Sequence, residues 1–123
     1  MPEPQALFSP HPIRTLAHNL DSTAIAYRFL TDYFDMLPGR AQRLLTALRD
    51  EDHEAAMDAV LSLKTASAMT GALEMESRCM TIQTLIAAGR LELALAEAQG
   101  VSTAAASLAA QATFILESAR AEG

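Results

Sequence analysis

The sequence predicts an all-α fold: an antiparallel up-and-down four-helix bundle with a short N-terminal capping helix. Composition is the first reason, because 25 Ala and 17 Leu stand against 5 Ile and 2 Val. Helices favour Ala and Leu, whereas strands favour β-branched and aromatic residues. A length of 123 residues suits one domain. Finally, apolar residues recur at spacings of three and four along most of the chain, which is the period of a helix face.

The N-terminal residues differ from the rest of the chain in proline content. Four of the five prolines fall within the first 12 residues, and proline lacks the amide donor that a helix interior needs. We expect residues 1–12 to form an extended or disordered arm. A short helix from about Ile13 to Leu20 would follow it and cap the bundle, which is assigned to residues 13–120.

The first long helix is predicted from about Thr23 to Arg49, directly after the N-cap residues Asp21 and Ser22. Because Pro38 removes a helical hydrogen bond, the sequence predicts either a kink there or two helices that meet there. The predicted core face of this helix comprises Ala26, Leu30, Tyr33, Leu37, Ala41, Leu44 and Leu48.

Three further helical segments follow. One begins in the acidic stretch 50–54, where negative charge stabilises a helix N-terminus, and ends at Gly71. The next ends at Gly89, and the last extends to about Ala119, with Gly100 weakening it. Their predicted buried stripes are Ala56, Val60, Leu63, Ser67 and Thr70, then Ala72, Met75, Cys79, Ile82 and Ile86, then Val101, Ala105, Leu108, Ala112, Ile115 and Ala119.

Charge and cysteine content exclude several classes of function. The formal net charge is −6 with a single lysine, so the basic surface that nucleic-acid binding needs is missing. One cysteine excludes an internal disulfide and fits a reducing cytoplasm. No signal peptide and no run of about 20 apolar residues is recognisable. The expectation is a cytoplasmic protein that binds neither nucleic acid nor membrane.

One segment carries a recognisable motif. Residues 60–79 read VLSLKTASAMTGALEMESRC and resemble the core of histidine-containing phosphotransfer (HPt) domains, whose pattern is roughly A-H-S-L-K-G-x-A with a glycine ten residues after the histidine. Ser62, Leu63 and Lys64 stand at the S-L-K positions, and Gly71 stands at the later glycine. The segment FLTDYFDMLPGRAQRL, residues 29–44, resembles the family's long helix, proline included. The resemblance covers about residues 16–118.

The resemblance implies a four-helix bundle of HPt type, a fold that relays phosphoryl groups between receiver domains in two-component signalling. Leu61 stands where the family has its phosphorylated histidine. A leucine side chain has no lone pair and cannot be the nucleophile. Thr65 replaces the glycine that follows the lysine, where a small residue leaves room for the phosphoryl group. The chain therefore resembles an HPt domain that has lost its acceptor.

Helix geometry predicts the exposure of Leu61 independently of the family resemblance. At 100° per residue, Leu61 points roughly 140° away from the predicted buried stripe, so we expect it to face solvent. Met57 and Ala68 flank it one and two turns away, and Lys64 lies beside them. This predicts an exposed apolar patch that docks a partner, a receiver domain or a histidine kinase. The candidate binding residues are Met57, Leu61, Lys64, Thr65 and Ala68. A stray surface leucine is the alternative.

Other residues offer weaker candidates. His53 lacks a lysine three residues later and sits among acids, so it is expected to be a solvated residue near a helix cap. In HPt domains the lysine helps to hold the phosphoryl group; Lys64 is then either vestigial or paired with a partner's acid. Cys79 is expected to be a small buried hydrophobe. The six methionines, including Met69, Met75 and Met80, are expected to be mostly core filler, and an adaptable Met-lined groove is the alternative.

The sequence contains no recognisable motif for metal binding, nucleotide binding or catalysis. The sequence has no zinc-ligand spacing, no glycine-rich phosphate loop and no nucleophile paired with a base, so we expect no metal, no cofactor and no enzymatic activity. The predicted function is an HPt-like signalling module that binds a receiver or kinase domain without carrying phosphate, as a monomer or weak dimer. The alternatives are a helical scaffold or self-association bundle, and phosphotransfer through another histidine such as His53.

Overall fold

The structure, a computed structural model, describes residues 23–122, with side chains from residue 24 to residue 117. It contains four helices in this range: α1 (Thr23–Arg49), α2 (His53–Thr70), α3 (Leu73–Ala87) and α4 (Leu91–Glu122). Connections of two or three residues make consecutive helices antiparallel. The predicted arm, residues 1–12, and the predicted capping helix, residues 13–20, lie outside the described residues.

The helices form a closed ring. Each packs against its neighbour along the chain, and α1 packs against α4. Helices α2 and α4 therefore stand diagonally across the bundle. This arrangement confirms the predicted four-helix bundle, and it gives α2 two neighbours, α1 on one side and α3 on the other. Among the described helices, none is long and apolar enough to cross a membrane.

Helix α1 has the predicted bounds and continues through Pro38. The sequence allowed either a kink at Pro38 or two separate helices that meet there, and the prediction of two separate helices is wrong. The reason lies in packing, because most of a helix's stability in a protein comes from its apolar face. That face is buried on both sides of the proline at the predicted positions: Ala26, Leu30, Tyr33, Leu37, Ala41, Leu44 and Leu48.

Capping residues delimit α2. The Asp52 side chain accepts a hydrogen bond from the backbone N–H of Ala55 at 3.0 Å, which satisfies one of the free donors of the first turn. Gly71 ends the helix in the left-handed region with φ 88°, and its N–H bonds to the Ser67 carbonyl. Glycine adopts this conformation without strain. The buried residues of α2 include the whole predicted stripe.

Helix α4 runs without interruption through Gly100. The glycine lies against α3, where a Cβ at position 100 would stand 2.6 Å from Arg78 Nη1. The same guanidinium bonds to Glu74 at 3.0 Å. Gly100 therefore leaves room for the Arg78 side chain to lie close to the α4 backbone.

The core is aliphatic with one polar link. Leu30, Leu37 and Leu63 are fully buried, as the composition predicts. The hydroxyl groups of Tyr33 on α1 and Ser67 on α2 lie 2.8 Å apart and share a buried hydrogen bond. Because buried hydroxyls need partners, this bond satisfies both hydroxyls and links α1 to α2.

Candidate functional site

The five predicted site residues lie along one face of α2, here called the Leu61 face: Met57, Leu61, Lys64, Thr65 and Ala68. Only Thr65 is exposed; the other four are half-buried. Leu61 was expected to face solvent, and this expectation is wrong, because Leu61 and Met57 pack against the core. The helix phase placed Leu61 away from the centre of the buried stripe. The side chain of Leu61 nevertheless reaches the core and is half-buried.

Lys64 ties the Leu61 face to α3. Its ammonium donates a hydrogen bond to the Gln83 side-chain oxygen, with 2.7 Å between Nζ and Oε1. The sequence left Lys64 as either vestigial or paired with a partner's acid, and the structure gives it a third role as a link between two helices. An ammonium has three donors, so two remain for other groups.

Three methionines on α1, α2 and α3 are exposed, and they are here called the methionine band: Met36, Met69 and Met80. Their exposed fractions are 50%, 42% and 54%, whereas Met75 is fully buried. The expectation that the methionines are mostly core filler is therefore wrong. The signal was present in the sequence, since Met69 and Met80 lie off the buried stripes that the sequence predicts.

The methionine band lies on three successive helices within a short stretch of the bundle axis. Met36 follows Tyr33 by three residues, Met69 follows Ser67 by two and Met80 precedes Gln83 by three. The Tyr33–Ser67 and Lys64–Gln83 bonds show which residues of neighbouring helices lie at about the same height. At 1.5 Å per residue, the three methionines span about 8 Å along the bundle axis.

Met36 also lines a groove between α1 and α2. The groove is bounded by Phe29, Asp32, Tyr33, Met36, Arg40 and Ala66. The Arg40 Nη2 group contacts the Met36 sulfur at 3.7 Å. Met36 therefore borders the groove on the α1 side of α2, and Met80 neighbours Gln83 on the α3 side.

His53 is not available as a phosphoryl acceptor at Nε2. The ring is exposed at the first residue of α2, and Nε2 lies 2.8 Å from the carbonyl oxygen of Ile86 near the end of α3. A carbonyl only accepts, so Nε2 carries the hydrogen. His53 thus caps the C-terminal end of α3, which agrees with its expected place near a helix cap.

Cys79 is a buried structural thiol. It is fully buried on α3, and burial raises its pKa to about 12, although the charge of Lys64 partly opposes the shift. A neutral thiol is a poor nucleophile, so the expectation of a small buried hydrophobe is confirmed. Burial likewise raises the pKa of Tyr33 to about 12.

The Leu61 face combines apolar side chains with the Lys64 ammonium, which is bonded to Gln83, and with the exposed Thr65 hydroxyl. Across the described part of the chain, no three His, Cys, Asp or Glu side chains form a group that could hold a metal ion. The Leu61 face can therefore bind by apolar contact and hydrogen bonding, with Lys64 as its cation.

Comparison with known proteins agrees with this geometry. A family model described as Hpt domain matches residues 28–113, a range that begins in α1, ends in α4 and contains the whole Leu61 face. No curated protein and no solved structure matches the chain.

Proposed function

Because this chain belongs to the Hpt domain family, we propose that it acts in a cytoplasmic phosphorelay as a docking module that does not itself carry phosphate. Hpt domains are phosphotransfer carriers, and they interact with response regulators or kinases. The proposed partner is a receiver domain or a histidine kinase, bound at the Leu61 face by a monomer or weak dimer.

The residue at the acceptor position carries the proposal. Leu61 is half-buried on α2 where the family motif has its histidine, and it offers no lone pair to phosphorus. His53 is the one histidine among the described residues, and its Nε2 is hydrogen-bonded to the Ile86 carbonyl. Among the described residues, phosphoryl transfer therefore has no evident acceptor, whereas the Leu61 face still offers apolar contacts and the Lys64 ammonium to a partner.

The methionine band supports docking at this surface. Methionine side chains are flexible and polarisable, and they suit adaptable protein-binding surfaces. Three of the six large hydrophobic side chains that are exposed among the described residues belong to this band. A partner that covered the band and the Leu61 face would remove this apolar surface from water, which is favourable in proportion to its area.

The test compares two matched substitutions. Purified receiver and kinase domains from the source organism are titrated with wild type, Leu61→Arg and Leu93→Arg. Leu93 is 50% exposed on α4, the helix diagonal to α2, so Leu93→Arg controls for adding a charge. We expect Leu61→Arg to weaken binding at least about tenfold and Leu93→Arg to leave it unchanged.

Three outcomes would contradict the proposal. Equal weakening by both variants would remove the Leu61 face as the docking site, provided that circular dichroism shows both to be folded. Absence of binding to any receiver or kinase, together with a stable dimer disrupted by Leu61→Arg, would instead identify a self-association bundle. An acid-labile phosphate on the wild-type protein would identify phosphotransfer through another histidine.

A further inference from the structure

Thr65 differs from most of the helical threonines in the hydrogen bonding of its hydroxyl. Thr31, Thr70, Thr81 and Thr84 each donate a hydrogen bond to the carbonyl four residues earlier, which is the common local use of this side chain. Thr65 is exposed and makes no such bond within the described residues. Its hydroxyl is therefore available to another group.

This hydroxyl lies beside the acceptor position. Residues four apart on a helix have Cβ atoms about 6 Å from each other, so Thr65 is one turn from Leu61. An imidazole at position 61 would extend farther from the helix than leucine does, and its nitrogen would face the phosphorus of a docked receiver. Leucine is shorter than an imidazole and has no polar atom, so it leaves room beside the Thr65 hydroxyl for a small polar group such as water.

We propose that the Leu61 face promotes hydrolysis of the aspartyl phosphate of a bound receiver domain, with Thr65 holding the attacking water. This inference rests on the proposed function, because the receiver must dock at the Leu61 face. It also goes beyond the purely binding role expected from the sequence, since the chain would end the signal rather than only occupy the receiver.

The reaction needs water as its one co-reactant. Thr65 accepts a hydrogen bond from the water and directs the oxygen lone pair at phosphorus, as an oriented nucleophile requires. A bond forms between the water oxygen and phosphorus while the bond from phosphorus to the aspartyl oxygen breaks. The electron pair leaves with the aspartate carboxylate, and both hydrogens of the water end on inorganic phosphate.

Lys64 supplies charge to the same reaction. One N–H of its ammonium is held by Gln83 at 2.7 Å, which restrains the flexible side chain. The remaining donors can bond to phosphoryl oxygens, where charge is spread in the transition state. Thr65 and Lys64 are adjacent in sequence on the same face, so one docked phosphoryl group can meet both.

The test follows the loss of phosphate from receivers. Each receiver domain encoded by the source organism is phosphorylated with acetyl phosphate and magnesium, freed of the donor, and mixed with saturating protein. We expect wild type to shorten the phosphoryl half-life of a bound receiver on the order of a hundredfold. Thr65→Val, which keeps the shape and removes the hydroxyl, should abolish the acceleration at saturation, and Thr65→Ser should retain most of it.

A matched control comes from α4. Thr113 is also exposed on a helix, so Thr113→Val should leave the acceleration unchanged. Binding is measured in parallel. A receiver that binds at the Leu61 face but keeps its phosphate, or loses it equally fast with Thr65→Val, overturns this inference and leaves the docking function standing. If no receiver binds, both proposals fail.

Discussion

The Lys64 ammonium and the Gln83 amide are joined by a 2.7 Å hydrogen bond that links α2 to α3. Both side chains are half-buried, so the bond is partly shielded from water. The same bond restrains the cation of the Leu61 face and sets the height of α3 against α2. It therefore contributes both to stability and to the arrangement of the candidate site.

Removing this link should lower stability modestly. We expect Lys64→Met and Gln83→Leu each to reduce the free energy of unfolding by about 1 kcal/mol, the net value of a hydrogen bond. The double variant should cost less than the sum, because the second change removes a partner that is already lost. Urea denaturation of the four proteins measures the coupling. Strictly additive losses would show that the bond contributes nothing.

Stability should fall with rising pH above pH 9, because of Cys79. The pKa of its thiol is 9.0 when free in solution and about 12 in the fold, so the unfolded chain loses the proton first. The contribution of the Cys79 thiol to the free energy of unfolding is complete below pH 9, and it is lost as the pH rises towards 12. Between pH 9 and 10 the slope should approach about −1.4 kcal/mol per pH unit.

The variant Cys79→Ala isolates this effect. It creates a small cavity and lowers stability at every pH, but it should flatten the slope between pH 9 and 10. Tyr33, with a pKa raised from 10.0 to about 12, should maintain a decline above pH 10 in both proteins. Chemical denaturation across this range gives both slopes, and identical slopes below pH 10 would contradict the assignment to Cys79.

Replacement by alanine should change the stability of the protein in opposite directions at Gly100 and Gly71. Gly100→Ala should stabilise the protein by up to about 1 kcal/mol, since alanine has the higher helix propensity and the nearby Arg78 Nη1 is the mobile end of a side chain. Gly71→Ala should destabilise it by about 1 kcal/mol or more, because φ at Gly71 is 88°. Thermal and urea unfolding of both variants check the signs.

Peroxide should distinguish the methionines. We expect Met36, Met69 and Met80 to form sulfoxides much faster than Met75 in the folded protein, because they are 42–54% exposed and Met75 is 0% exposed. Peptide mass spectrometry over time gives the rates. In urea the four rates should converge, and preferential oxidation of Met75 under native conditions would contradict the placement of the band.

Restoring the histidine should not unfold the bundle. Because Leu61 is half-buried rather than free of contacts, Leu61→His should cost about 1 kcal/mol of stability through lost apolar contact. Phosphoryl transfer from a phosphorylated receiver should require the double variant Leu61→His with Thr65→Gly, which makes room beside the imidazole. An acid-labile phosphate on the single variant would show that Thr65 does not obstruct the site.

Local information explains why the helices were predictable. The bounds of α1 match the predicted ones, since caps, glycines and a regular apolar spacing act within a few residues. Every residue of the first two predicted buried stripes is buried. The absence of a nucleophile at Leu61 is likewise a property of one residue in one motif.

The sequence by itself determined the helices and their core stripes, and it predicts the loss of the acceptor. Tertiary structure alone decided that Leu61 is half-buried, that Lys64 bonds to Gln83 and that His53 caps α3 at Ile86. Helix phase specifies the angle at which a side chain leaves its own helix. Whether a neighbouring helix covers that side chain, and which partner it meets, depends on how α1 and α3 pack against α2.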